Sequence, residues 1–107
     1  MRYVIHVPIY HTKLTVCDDR KEQPVPDINN DSGQVIAAVW HEDGEVFMTY
    51  NAENITRGVL AHECLHIANH ICEMKFIRAD VTNDEHVAYL LEWAFDELYA
   101  IIFGGEK

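Results

Sequence analysis

Basic residues are scarce in this sequence. Its 107 residues include 8 Lys and Arg against 18 Asp and Glu, which gives a formal net charge of −10 at pH 7. Proteins that bind nucleic acids need cationic side chains to displace the counterions of the phosphates, and anionic membrane surfaces attract the same cationic groups. We therefore expect neither a nucleic acid nor a membrane as a partner.

Long hydrophobic runs and a disulfide framework are also missing. No stretch approaches the roughly 20 apolar residues that cross a bilayer, and residues 1–13 lack the apolar core of a signal peptide. The three cysteines, Cys17, Cys64 and Cys72, are odd in number, and two of them lie in an apolar helical pattern. We expect a cytoplasmic protein in a reducing compartment.

The length fits a single domain, residues 1–107, with one modest core. The first half is rich in β-branched and aromatic residues, which predict four strands. These strands are residues 2–10, 13–17, 35–41 and 45–50. The tripeptide Glu42-Asp43-Gly44 predicts a hairpin between the last two, because Gly accepts a positive φ. Residues 18–33, with two prolines and many Asp and Asn, predict a loop.

The second half of the sequence has a helical period. Apolar residues recur at helical spacing over residues 54–76, and Asn54 or Thr56 can cap this first helix. Thr82 or Asn83 is the predicted cap of a second helix, which ends at a pair of glycines near the C-terminus. We predict an α+β fold, in which a small N-terminal sheet packs against the first helix and the second helix completes the core.

Histidine is unusually frequent, with seven in the chain, and His62, Glu63 and His66 form an HExxH sequence. On a helix, residues four apart lie on one face, about 40° from each other, so His62 and His66 can bind one metal ion. Glu63 lies beside that face and could accept a proton from a water on the ion without ligating it. Zn²⁺ is therefore the expected cofactor.

Two histidines do not complete a zinc site, which needs a third protein ligand and an open fourth position. His70 lies eight residues beyond His62, about 12 Å along a helix, so the two cannot share one ion. Glu73 is farther still. The first helix therefore does not supply the third ligand.

The second helix offers a better candidate. Glu85 follows His66 after 18 residues, which is enough chain to end one helix and bring back an antiparallel one. Its neighbours Asp84 and His86 could serve instead. We expect the third ligand to come from this first turn of the second helix.

The sequence HECLH, followed after 18 residues by EHVAYLLE, resembles the gluzincin metallopeptidases. It looks most like the aminopeptidase N type, whose pattern is HExxH, 18 residues and a Glu, with Tyr and a second Glu further on. The likeness covers residues 54–95. In size and motif the chain is also similar to the minigluzincins and to short phage-encoded HExxH proteins.

This resemblance implies that His62, His66 and Glu85 hold zinc and that Glu63 is the general base. It also implies that a strand of the sheet lies beside the cleft and pairs with extended substrate, and residues 45–50 are the candidate strand. The implied function is a zinc-dependent hydrolase, a metallopeptidase that acts on peptides or proteins.

Several points stay open at the level of sequence. No motif identifies the residue that stabilises the oxyanion, and the candidates are Tyr89, Tyr99, Tyr50, Tyr10 and His41. A thiolate of Cys17 could cap the zinc in a latent form. Two other functions remain as alternatives: a zinc-bound binding module that does not cut, and an acidic interaction protein.

Overall fold

A sheet of four strands followed by two packed helices makes up the fold. The structure, a computed structural model, describes residues 2–18, 36–78 and 80–104. Its elements are β1 (Arg2–Val7), β2 (Thr12–Cys17), β3 (Ala37–Glu42), β4 (Glu45–Tyr50), α1 (Arg57–Met74) and α2 (Glu85–Phe103). The predicted α+β fold is confirmed. Except for Asp18, the loop predicted at residues 18–33 lies outside the described residues.

The sheet is mixed, with the strand order β1-β2-β4-β3. β1 and β2 are antiparallel, as are β3 and β4, whereas β2 and β4 run parallel. Asp43 and Gly44 form the tight turn between β3 and β4, with φ values of 52° and 77°. Two successive positive φ values are what a type I′ hairpin turn requires, so the predicted hairpin is confirmed.

The strand order changes which strand could pair with a substrate. β4 lies between β2 and β3 and is hydrogen-bonded along both edges. Residues 45–50 therefore cannot add a further strand, and their assignment as the substrate-pairing strand is wrong. Within the described ranges, β3 pairs with β4 alone, so the edge beside α1 belongs to β3.

A side-chain cap fixes the start of α1 but not that of α2. Thr56 caps α1, because its hydroxyl accepts a hydrogen bond of 3.1 Å from the backbone N–H of Val59. α2 begins after Asp84, which is its N-cap residue. The predicted cap of this helix, Thr82 or Asn83, is therefore wrong. Thr82 instead donates to a carboxylate oxygen of Asp80 at 2.8 Å, in the turn that precedes the helix.

The core lies between one face of the sheet, α1 and α2. α1 packs against β3 and β4, and α2 packs against α1. The fully buried apolar side chains come from all three layers: Leu14, Val16, Val46, Met48, Leu60, Cys64, Ile67, Ala68, Ile71, Leu90, Ala94 and Leu98. Cys64 and Cys72 are buried and free. In the described part of the chain, neither helix is long and apolar enough to cross a membrane.

Two leucines of α1 provide a matched test of this core. Leu60 is fully buried, whereas Leu65 is 44% exposed. We expect Leu60→Ala to lower the free energy of unfolding by about 2–5 kcal/mol, because it leaves a cavity. Leu65→Ala should cost at most about 1 kcal/mol. Urea unfolding followed by circular dichroism measures both, and equal losses would contradict the observed orientation of α1.

Candidate metal centre

α1 carries four potential metal ligands on one side. His62, His66, His70 and Glu73 are spaced by four, four and three residues. At about 100° per residue, all four lie within about 80° of one another around the helix axis. We call these four residues the histidine face. The buried residues of α1 centre on the opposite side, toward the sheet and α2.

His62 and His66 meet as the HExxH spacing predicts. Their Nε2 atoms lie 3.1 Å apart, their rings are edge to face, and both side chains are exposed. Two nitrogens that each lie about 2.0–2.1 Å from one tetrahedral zinc ion are about 3.3 Å apart. The pair therefore has nearly the separation that a shared ion requires, and solvent can reach it.

Glu85 is not part of that pair. It is the first residue of α2 and is exposed. Arg57 donates a hydrogen bond of 3.2 Å to the Tyr99 hydroxyl, which places the start of α1 beside the end of α2. The start of α2 accordingly lies beside the end of α1, beyond His66. No three-ligand group within 4.8 Å includes Glu85 in the described residues, and its role as a ligand stays a prediction.

Glu63 faces a different environment from the two histidines. Only 7% of it is exposed, because it lies about 100° around the helix from His62, at the border of the core. Burial, followed by the charge of Glu63, raises the pKa of the neighbouring Cys64 thiol to about 12. Cys64 is therefore protonated and unreactive at neutral pH. The role of Glu63 as a general base stays a prediction.

A second group forms where β3 meets the histidine face. His41 Nδ1 lies 2.6 Å from His70 Nδ1, and His41 Nε2 lies 3.5 Å from Glu73 Oε1. Potential ligand atoms of all three residues lie within 4.8 Å of one another. Two imidazoles and a carboxylate from a strand and a helix thus form a His-His-Glu group that could hold a metal ion.

This group was missed at the level of sequence. His70 and Glu73 lie too far along the helix from His62 to share one ion with it, and the sequence does not identify their partner on β3. At the level of sequence His41 is a candidate only for the residue that stabilises the oxyanion. Because 29 residues separate His41 from His70, only the packing of β3 on α1 brings them together. The sequence signals were the high number of histidines and the spacing that places His70 and Glu73 on the same side of the helix as His62 and His66.

The surroundings of His70 favour its neutral imidazole. Burial lowers the pKa of His70 below its ordinary value of 6.5, and His41 and His66 lower it further, while Glu73 partly opposes them. The unfolded chain therefore binds a proton more readily than the folded one. The lowered pKa of His70 therefore makes the free energy of unfolding higher above about pH 6.5. That gain is lost as the pH falls and the imidazole has to be protonated in the folded protein.

The other predicted candidates are dispersed. The Tyr10 hydroxyl is hydrogen-bonded to His86 Nδ1 at 2.6 Å. Tyr50 is buried, whereas Tyr89 is 40% exposed. Cys17, at the end of β2, is a half-buried free thiol. In the ranges that the structure describes, this thiol does not belong to the His-His-Glu group.

Comparisons with known proteins found no relative of this chain. No model of a protein family, no curated protein and no solved structure matches the chain. The interpretation of the site therefore depends on its own geometry.

The His41–His70 contact can be tested by titration. We expect His41→Ala to raise the pKa of His70, because a neighbouring imidazole that opposes its protonation is removed, and Glu73→Gln to lower it. Histidine ring signals followed by NMR as a function of pH measure both shifts. His6→Ala, at an exposed position of β1, is the control, and an unchanged pKa in both site variants would contradict the contact.

Proposed function

We propose that this protein is a zinc-dependent hydrolase that cleaves peptide bonds. The observation that carries the proposal is the 3.1 Å separation of the Nε2 atoms of His62 and His66, two exposed histidines of an HExxH sequence on one helix. The likeness of the sequence to gluzincins supports the same function. The three free cysteines are in keeping with a cytoplasmic location, which we propose as well.

In this proposal His62, His66 and Glu85 are the zinc ligands. Glu85 has to move toward the histidines, and its surroundings allow this. All the described residues from 80 to 86 are exposed, so the side chain of Glu85 can change its rotamer, although the hydrogen bond from Tyr10 holds the adjacent His86. A fourth position then remains for water or substrate, as in catalytic zinc sites.

Glu63 is the proposed general base. When bound, Zn²⁺ polarises the scissile carbonyl and lowers the pKa of a coordinated water toward about 7. Glu63 then accepts a proton from the attacking water and delivers it to the leaving amine. Glu63 is the direct neighbour of His62, and the proposal requires its side chain to rotate from the border of the core toward the histidine face.

The sheet offers a place for an extended substrate. β3 has an edge without a strand partner in the described residues, and it contacts the histidine face through His41. A peptide that adds a strand to β3 would gain backbone hydrogen bonds. Its scissile bond would then pass along the side of α1 that carries the histidines. An unstructured peptide is therefore the proposed substrate.

A binding module is the second candidate, because Glu63 is only 7% exposed, whereas the side chains of the histidine pair are exposed. Such a protein would hold zinc and an extended peptide without cutting it. An acidic interaction protein is a weaker alternative, since the charge of −10 does not explain the spacing of the histidines. An assay of peptide hydrolysis distinguishes the zinc hydrolase from the binding module.

We expect Glu63→Gln to retain zinc but to lower peptide hydrolysis by about a hundred- to ten-thousand-fold, because the amide cannot accept the proton. A pool of varied peptides incubated with zinc-loaded protein and analysed by mass spectrometry measures cleavage. Glu53→Gln, in the exposed turn before α1, is the matched control. If wild-type protein with zinc bound cleaves nothing in the pool, the binding module replaces the enzyme.

Glu85→Ala tests the third ligand. In a His41→Ala background, which disables the second group, we expect it to weaken zinc binding by more than the roughly 10–100-fold that loss of an outer-shell partner costs. Competition with a chromophoric chelator measures the affinity. Glu53→Ala in the same background controls for the loss of an exposed carboxylate. Unchanged affinity after Glu85→Ala would remove Glu85 from the ligand set.

A further inference from the structure

We propose that His41, His70 and Glu73 bind a second divalent metal ion, of the zinc class, which links β3 to α1. The sequence predicts one ion per chain, and the likeness to gluzincins assigns no role to this group. The new site stands on its own geometry, and it does not depend on the proposed hydrolytic activity.

The donor set selects the kind of ion. Imidazole nitrogens suit zinc and its neighbours among the transition metals, whereas magnesium and calcium prefer oxygen ligands. Two histidines and one carboxylate leave at least one position for water. The expected ligand is therefore Zn²⁺, with Co²⁺ as a spectroscopic substitute.

The geometry needs only small adjustments to admit the ion. The 2.6 Å between the two Nδ1 atoms has to open to the roughly 3.3 Å of two zinc ligands. The Glu73 side chain is 72% exposed and the His41 side chain 30% exposed, so solvent reaches the group and Glu73 can change its rotamer. Each residue then contributes one ligand atom from a position that it nearly occupies.

The distance from the HExxH pair determines what a second ion can do. The midpoint of His70 and Glu73 lies seven to eight residues beyond that of His62 and His66, which is about 11 Å along the helix. Two-metal hydrolases hold their ions about 3.5–4 Å apart. The second ion therefore does not share a substrate atom with the first. It holds the edge strand against the helix.

The same three residues could instead form a hydrogen-bonded chain without a metal, because His41 contacts His70 with one ring nitrogen and Glu73 with the other. Metal binding has to replace both contacts. The two arrangements therefore differ in a measurable way, namely whether the full-length protein binds zinc when the HExxH histidines are absent.

The experiment is zinc titration of the full chain with the double substitution His62→Ala and His66→Ala, both at exposed positions. We expect this variant to bind one equivalent of Zn²⁺, to show the visible absorption of four-coordinate Co²⁺, and to gain thermal stability with added zinc. Adding His70→Ala should abolish all three effects, and adding His6→Ala should abolish none.

Glu73→Gln provides a second variant that keeps the fold, because its side chain is mostly exposed. In the same double-substituted protein it should weaken zinc binding at least about tenfold. If the double-substituted protein binds no zinc, or if His70→Ala and Glu73→Gln leave its binding unchanged, the second site is overturned. Neither result bears on hydrolysis, which is tested separately through Glu63.

Discussion

Apolar side chains along one side of α1 fill the space between the sheet and α2. Leu60, Ile67 and Ile71 are fully buried there, and α1 is the helix that contacts both the sheet and the other helix. Burial of apolar surface is the dominant favourable term in folding. The rotation of α1 about its axis is therefore set by its core side, and the direction of its polar side follows.

The histidine face depends on that rotation. A helix rotated about its axis so that the histidine face met the core would bury imidazoles and expose apolar side chains such as Leu60, at a high cost in desolvation. With the observed orientation, two histidines face solvent and a third meets the edge strand through His41. Two potential metal groups thus lie on one helix, and a single packing arrangement positions both of them.

Local features of the fold could be predicted from sequence, and long-range ones could not. The hairpin at Asp43 and Gly44 and the Thr56 cap depend on neighbouring residues, so residue type and spacing suffice to find them. The strand order depends on the parallel pairing of β2 with β4, across a connection whose path no local pattern determines. For this reason residues 45–50 were predicted to lie beside a substrate, although β4 is an interior strand.

The candidate site likewise has a part that the sequence predicts and parts that it does not. His62 and His66 are four residues apart, and any helix brings them together. His41 and His70 meet only because β3 packs on α1, and a shift of one residue along the strand would turn His41 to the other face of the sheet. The place of Glu85 depends on where α1 ends and α2 begins, and helix boundaries are the least certain result of sequence patterns.

The outer edge of β3, which has no strand partner among the described residues, also has a consequence for the behaviour of the protein in solution. An unpaired strand edge is a template for any extended chain, including another copy of the same protein. The strand itself contributes one acidic side chain, Glu42, and a tryptophan that is 37% exposed. The net charge of −10 opposes the close approach of two copies, and this repulsion is screened beyond about 8 Å at physiological ionic strength. Added salt weakens this repulsion and so favours pairing between molecules at the edge that the described residues leave unpaired.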